Sequence, residues 1–390
     1  MSEIVIVAAA RTAQGRLQGA LSCFSAPKLG SAAIAGALER GGVEPAAVDA
    51  VVMGQVLPAG SGQNPARQAA LGAGIPWSTP ASSVNKVCLS GLTAVIDAAR
   101  MIASGDAEVV VAGGMESMSQ APHLLMGSRA GWKYGAVEAL DHMAHDGLTD
   151  AHDQVSMGES TERHNPRFEV TREDQDRVAA LSHQRAAAAA ELLAEEIVPV
   201  SVPQRRAEPI EVTADEGIRP DTTAESLARL RPAFAKDGTI TAGSSSQISD
   251  GAAALVLTTS ARADAEGWQV MARIGANGQT AGPDSSLQAQ PADAIARALT
   301  KQGITAAELE LVEINEAFGA VVAHSQRALG VSEEIVNVHG GGIALGHPIG
   351  ASGARLVVHM AHELARRGTG TAAVGLCGGG GQGEALVLLR

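Results

Sequence analysis

Two kinds of apolar pattern alternate along the chain. Short uninterrupted runs, Val109-Val110-Val111, Asp250 through Leu257, Leu311 to Ile314, Ala372-Ala373-Val374 and Ala385 through Leu389, read as strands covered on both faces, because a strand with one wet face would alternate instead. Between them lie Ala-rich stretches of helical length, among them Ala33–Leu38, Leu92–Ile102 and Ala294–Leu299. That succession predicts an α/β fold.

The order of these elements repeats. Ala33-Ile34-Ala35-Gly36-Ala37-Leu38 returns 261 residues later as Ala294-Ile295-Ala296-Arg297-Ala298-Leu299, and the same offset sets Val48 through Gly54 against Leu309 through Asn315. One further residue of shift aligns Ser90-Gly91 with Ser352-Gly353, each ahead of a helical stretch and then an apolar strand. A duplication predicts architecture before any single element is assigned. We therefore expect two related halves, residues 1–118 with 246–268 and residues 269–390. Residues 119–245, where six histidines and a Pro-bounded strand Ile197 to Val202 concentrate, form an inserted, loop-rich subdomain placed to cover a ligand.

Composition narrows the function. With 29 basic and 42 acidic residues the net charge is -13, the wrong sign for a protein that grips a phosphate backbone, so nucleic acid is not the expected partner. No stretch approaches the ~20 apolar residues that span a bilayer, and the N-terminal run is too short for a signal peptide. A cytoplasmic location follows as an expectation. The three cysteines Cys23, Cys88 and Cys377 are an odd number in a long chain, which points away from a disulfide scaffold and towards chemistry.

Cys88 precedes a helical stretch, where unpaired N–H groups and the helix dipole favour a thiolate. Cys23 has no partner motif and reads as a small buried hydrophobe. Cys377 opens a glycine run, Gly378-Gly379-Gly380-Gly381, whose N–H groups can approach a ligand closely. Gly378, Gly380 and Gly383 also fit G-x-G-x-x-G, but a strand follows where a dinucleotide site requires a helix. A plain glycine hairpin accounts for the same residues. His347, beside Pro348, can exchange protons near neutral pH, and Asn315-Glu316-Ala317-Phe318 follows a strand, at the end where α/β sheets gather ligands. His142, His145 and His152, and His359 with His362, lack accompanying thiolates and read as solvated side chains, so no metal site is expected.

Taken together, Asn-Lys-x-Cys-x-Ser-Gly at 85–91, Asn-Glu-Ala-Phe at 315–318, Gly-His-Pro at 346–348 and Cys-Gly-Gly-Gly at 377–380 resemble the thiolase family over essentially the whole chain. The pattern is most similar to its acetyl-CoA acetyltransferases. The resemblance implies a duplicated αβαβα layered fold and a Claisen condensation of two acetyl-CoA to acetoacetyl-CoA plus CoA, with the reverse thiolysis. The neighbouring expectation is a broader 3-ketoacyl-CoA thiolase of fatty-acid degradation. It also implies roles: Cys88 as nucleophile, His347 as its activator, Cys377 as the base for the second substrate, and Asn315 as holder of a water. The N–H groups of Cys88 and Gly379 would stabilise an oxyanion. Arg219 would meet the CoA 3'-phosphate, Ser246 the pantetheine arm, and Met157 and Phe318 the substrate. The CoA thioester would be substrate, no separate cofactor is implied, and relatives of this kind are dimers or dimers of dimers, homotetramers included. Where several acetyl-specific members carry His-Met-Gly, this chain has Ser156-Met157-Gly158.

Overall fold

The computed structural model describes residues 3–390. Its main sheet follows one path through β1 (Ile4–Thr12), β2 (Ala50–Gly54), β3 (Ala81–Val84), β4 (Val110–Ser117), β5 (Ser249–Thr259), β6 (Ala272–Ala281), β7 (Leu311–Ile314), β8 (Thr371–Gly378) and β9 (Gln382–Leu389), in spatial order β7-β8-β9-β6-β1-β5-β4-β2-β3. The internal repeat is written into that order. In the first half β2 and β4 are parallel and β4 and β5 antiparallel. In the second half β7 and β8 are parallel and β8 and β9 antiparallel. The halves join where β1 pairs with β6.

Helices α1 (Ala26–Gly41), α2 (Ser90–Ser104), α3 (Arg172–Ala188), α4 (Gln290–Gln302) and α5 (Ser352–Arg367) supply the layers. Around the start of β4, Val110 and Ala112 face a central core shared with α2 and α5, while Val109 and Val111 face α1. On β9, Leu386 and Leu388 face the same central core and Ala385 and Val387 face α4. Both faces of each strand are thus buried, and the apolar runs are continuous for that reason. The repeated helices α2 and α5 meet in the middle layer through the aligned glycines. A Cβ on Gly91 would lie 2.8 Å from the Ala354 nitrogen, and one on Gly353 2.5 Å from the Leu92 nitrogen. Only hydrogen fits at either position.

Residues 119–245 connect β4 to β5, where the second half has only the turn Gly379–Gly381 between β8 and β9, with positive φ at Gly380 (75°) and Gly381 (63°). The expected strand 197–202 divides: Ile197 and Val198 pair with β1, and Val200–Val202 pairs with Ile210–Val212. A buried chain of charge pins this segment down. Arg11 of β1 holds Asp215 through its two terminal nitrogens, Nη1 and Nη2 (2.7 and 2.9 Å), and Glu196 through Nε at 2.8 Å. Glu196 also binds His359 of α5, and Arg355 one turn earlier pairs with Glu313 of β7 at 3.2 Å.

Several histidines expected in solvent are therefore structural. His359 lies buried between two glutamates, His362 contacts the Ala9 carbonyl at 3.0 Å, and buried His142 contacts Asp146 at 2.5 Å and accepts the Ala59 N–H at 3.3 Å. Spacing counted only possible metal partners, whereas tertiary packing gave these rings carboxylate and backbone partners. Cys23 errs in the opposite sense: it is exposed, not buried, because it stands in a surface turn before α1.

Candidate active site

Cys88 occupies the turn between β3 and α2. Val87 just before it has φ 52°, a left-handed conformation that costs a β-branched residue on the order of 1–3 kcal/mol and persists only where the surroundings impose it. They do so here. Ser90 Oγ accepts the Lys86 N–H at 2.8 Å and donates to the Val87 carbonyl at 2.6 Å, while Asn85 Oδ1 accepts the Val87 N–H at 3.1 Å. The strained turn presents the Cys88 sulfur at the joint between the halves.

The other chemical groups come from the second half. Cys377 is the penultimate residue of β8, and the glycine turn after it brings the Gly379 N–H onto the Cys88 sulfur. G-x-G-x-x-G is thus a hairpin, as the strand after it requires. His347 precedes α5, with its own N–H donating to the Gln247 carbonyl (3.1 Å) and Ser249 Oγ (3.2 Å) and its ring Nδ1 2.6 Å from Ser352 Oγ. Asn315 follows β7; its Nδ2 is 3.5 Å from both ring nitrogens, and its buried Oδ1 has no protein partner among the described residues. Glu316 turns the other way. Its carboxylate accepts from Ser182 Oγ of α3 (2.5 Å), Asn337 Nδ2 (2.9 Å) and the Ile343 N–H (3.0 Å), tying the loop to the inserted segment.

One inner cavity of about 60 Å³ gathers Cys88, His347, Cys377, Gly379, Ser246, Met157 and Phe318. Its walls also include Leu148, Leu287 and Ile349, apolar residues with no local motif to mark them. It adjoins a larger chamber of about 470 Å³ that shares His347, Met157, Ser246 and Phe318 and reaches out to Met118, Phe234 and Gln247. Arg219 lines neither. It is exposed beyond them, its N–H donating to His183 Nδ1 at 3.1 Å, near Gly217, whose carbonyl accepts from the chamber residue Gln247.

The electrostatics correct one expectation. Cys88 keeps some accessible area, yet burial of its sulfur pushes the thiol up to about 11, against the lowering by the Gly379 and Cys88 N–H groups, and Glu116 raises it further. Desolvation outweighs the helix end, so Cys88 rests as a thiol and not a thiolate. Cys377 is raised as well, by burial first and then by Cys88, so the two sulfurs lie close enough to feel each other. Burial and then Arg355 lower His347 to about 4, leaving its imidazole neutral. The site therefore rests uncharged, with every proton still to be moved.

Sequence reasoning passed over Glu116. This buried carboxylate accepts the N–H groups of Val56 (2.9 Å), Leu57 (3.1 Å) and Gly350 (3.0 Å), bracing the His347 loop from beneath, and burial raises it to about 7. Its signal in the sequence was only an acid inside an apolar strand, Gly113 through Ser117.

Comparison with known proteins agrees with this architecture. The family model for the thiolase N-terminal domain matches residues 4–261, and that for the thiolase C-terminal domain matches residues 268–390. The chain belongs to the thiolase family. This thiolase is 57% identical to a probable acetyl-CoA acetyltransferase of Mycolicibacterium smegmatis, over 99% of this chain and 100% of that one. It is 48% identical to the acetyl-CoA acetyltransferase of Cupriavidus necator over the full length of both. Among solved structures, the acetyl-CoA acetyltransferase of Bacillus anthracis superposes with a TM-score of 0.96 at 40% identity, covering 100% of this chain and 99% of that one. The duplicated, layered α/β fold expected from the sequence is thus the thiolase fold.

Proposed function

We propose that this thiolase is an acetyl-CoA C-acetyltransferase, joining two acetyl-CoA into acetoacetyl-CoA and CoA and running the reverse cleavage through an acetyl-Cys88 intermediate. The observation that carries the reading is the inner cavity, where two thiols and a neutral imidazole from different halves face one small volume. Full-length relatives with that printed activity support it.

The uncharged resting state dictates how the protons travel. Cys88 gives its proton to His347 Nε2, and the thiolate forms a C–S bond with the thioester carbonyl carbon. The N–H groups of Cys88 and Gly379 receive the oxyanion; removing one such donor typically costs ~2.7–4 kcal/mol in barrier. As the C–S bond to CoA breaks, Cys377 protonates the departing sulfur. Cys377 is now a thiolate and His347 an imidazolium. The thiolate removes a proton from the methyl group of the second acetyl-CoA. The enolate oxygen faces His347 Nε2–H and a water oriented by the otherwise unpartnered Asn315 Oδ1. The enolate carbon attacks the acetyl group, Cys88 leaves, and His347 returns its proton. Every group ends as it began.

The inner cavity holds on the order of two waters' volume, and Leu148, Met157, Leu287, Phe318 and Ile349 close it, which favours acetyl over longer acyl groups. The apolar outer chamber fits the pantetheine arm past Ser246, with the 3'-phosphate towards Arg219. A net charge of -13 gives no long-range attraction for polyanionic CoA, so capture is local. We further propose a cytoplasmic enzyme of fatty-acid metabolism that needs no cofactor beyond its substrate. Exposed Leu125, Met126, Trp132 and Tyr134 on the inserted segment support a homo-oligomer, a dimer or dimer of dimers. Mass spectrometry after exposure to acetyl-CoA tests the core of the reading. An acetyl group should appear on Cys88 and vanish in Cys88→Ser, with acetoacetyl-CoA cleaved faster than longer 3-ketoacyl-CoA. Absence of the adduct, or cleavage of long chains alone, would overturn it.

A further inference from the structure

The proton route above needs a bare Nε2 on His347 at the outset, and the ring itself has no preference strong enough to guarantee one. Which nitrogen carries the proton is set by the partner of the other. That partner is Ser352 Oγ, 2.6 Å from Nδ1. A serine hydroxyl has one hydrogen and can also accept, so the contact admits two arrangements: the hydroxyl donates to Nδ1, or Nδ1–H donates to the hydroxyl. Asn315 Nδ2, equidistant at 3.5 Å from both ring nitrogens, does not choose between them.

Two observations do. First, Ser352 Oγ lies 3.0 Å from the Pro348 carbonyl in donating geometry, and a carbonyl only accepts. The Pro348 oxygen also receives the Ala351 N–H (2.9 Å) and the Ser352 N–H (3.0 Å), so the hydroxyl completes a cluster of donors on it. Second, the duplication supplies a sister position whose polarity is unambiguous. Ser90 aligns with Ser352 at the first residue of the matching helix. Its hydroxyl accepts from the backbone N–H of Lys86, which cannot do anything but donate, and passes its own hydrogen to the Val87 carbonyl three residues back. The wiring is the same in both halves: N–H into the serine, serine hydrogen onto a carbonyl of the preceding turn. In the first half that wiring fixes the nucleophile's strained turn. In the second, the N–H belongs to the imidazole.

We propose that Ser352 is a positioning residue that holds the His347 ring as its Nδ1–H tautomer and so keeps Nε2 bare towards Cys88. The inference rests on the reading of His347 as the acceptor of the Cys88 proton. A hydroxyl is also the partner that suits a transient imidazolium. A carboxylate at the same place would fix the same tautomer but stabilise the cation, and the proton would return to Cys88 less readily. Here burial and the positive charge of Arg355 both hold the ring neutral, and the two thiols share its cavity; none of these favours a lasting positive charge.

Nitrogen-15 NMR of histidine-labelled enzyme at neutral pH reads the tautomer without any substrate, with the His347 signals identified as those lost in His347→Asn. The wild type should show a neutral ring protonated at Nδ1. In Ser352→Ala the ring should populate both tautomers, and the rate of Cys88 acetylation should fall roughly 3- to 10-fold, the worth of one net hydrogen bond, with KM for acetyl-CoA unchanged. Ser352→Asp should keep the tautomer and move the pH dependence of acetylation upward. A wild-type ring protonated at Nε2 would overturn the proposal, as would a Ser352→Ala enzyme with unaltered tautomer and rate. If wild-type Cys88 takes up no acetyl group at all, the catalytic reading fails, whereas the spectrum still reports on Ser352.

Discussion

Gly114 of β4 is a place where the fold sets the chemistry directly. A Cβ built there would lie 2.1 Å from the Gly350 carbonyl oxygen and 2.8 Å from the Ala351 Cα. Ordinary carbon–oxygen approaches begin near ~3.3 Å, so Gly114→Ala must drive the two segments apart by about 1.2 Å. β4 cannot yield, since it is paired on both edges by β2 and β5. The loop yields instead, and it carries His347 three residues before Gly350. Overpacking of this size costs typically 1–3 kcal/mol in stability, and a displacement of about 1 Å at a reacting group costs about 100-fold in rate. The Gly350 N–H bond to Glu116 (3.0 Å) would be stretched as well. The assay is the rate of Cys88 acetylation by acetyl-CoA, followed by mass spectrometry beside thermal unfolding. We expect acetylation slowed by about two orders of magnitude while the enzyme remains folded at room temperature. Acetylation within threefold of wild type, at an unchanged melting temperature, would show that the joint between the halves does not position His347.

Three further outcomes follow from the same structure. His347 is buried and lowered from 6.5 to about 4; the unfolded chain takes up this proton first as pH falls, so its contribution is complete above pH ~6.5 and is lost between there and pH ~4, about 3 kcal/mol in all. Denaturant unfolding at pH 7.5 and 4.5 should show a smaller loss in His347→Asn than in wild type; His359, which burial lowers but Glu196 and Glu313 together raise by more, titrates with the opposite sign in both and cancels in that comparison. Glu196→Ala should remove about 1–3 kcal/mol, because it leaves the buried Arg11 Nε and His359 Nδ1 without their hydrogen-bond partner while Asp215 still pairs with Arg11 and Glu313 still lies 3.8 Å from His359, read as a lower denaturant midpoint. Arg219→Ala should raise KM for acetyl-CoA with kcat nearly unchanged and leave KM for 3'-dephospho-acetyl-CoA unaffected; an equal effect on both substrates would place the phosphate elsewhere.

The sequence by itself determined the repeat and the α/β class, whereas the spatial order of the strands belongs to the fold. Burial on both faces leaves its mark in strands such as β4, β5, β7 and β9 as a run of buried, mostly apolar residues, and a duplicated topology duplicates its glycines and serines. It also marked Cys88, His347 and Cys377, which the fold gathers at one cavity, and Asn315 beside His347, because each stands in a short motif whose residue types match the proposed chemistry. Tertiary structure alone decided how those groups behave. The proton state of the two thiols depends on desolvation by residues such as Leu148, Leu287 and Ile349, which come together only when the halves close. The partners of His359, Glu196 and Arg11 lie more than a hundred residues apart, and no local pattern encodes a charge chain whose links are set by packing. Cys23 and Val87 were misjudged or unseen for the same reason: exposure and backbone strain belong to the surroundings of a residue, and its sequence neighbours do not specify them.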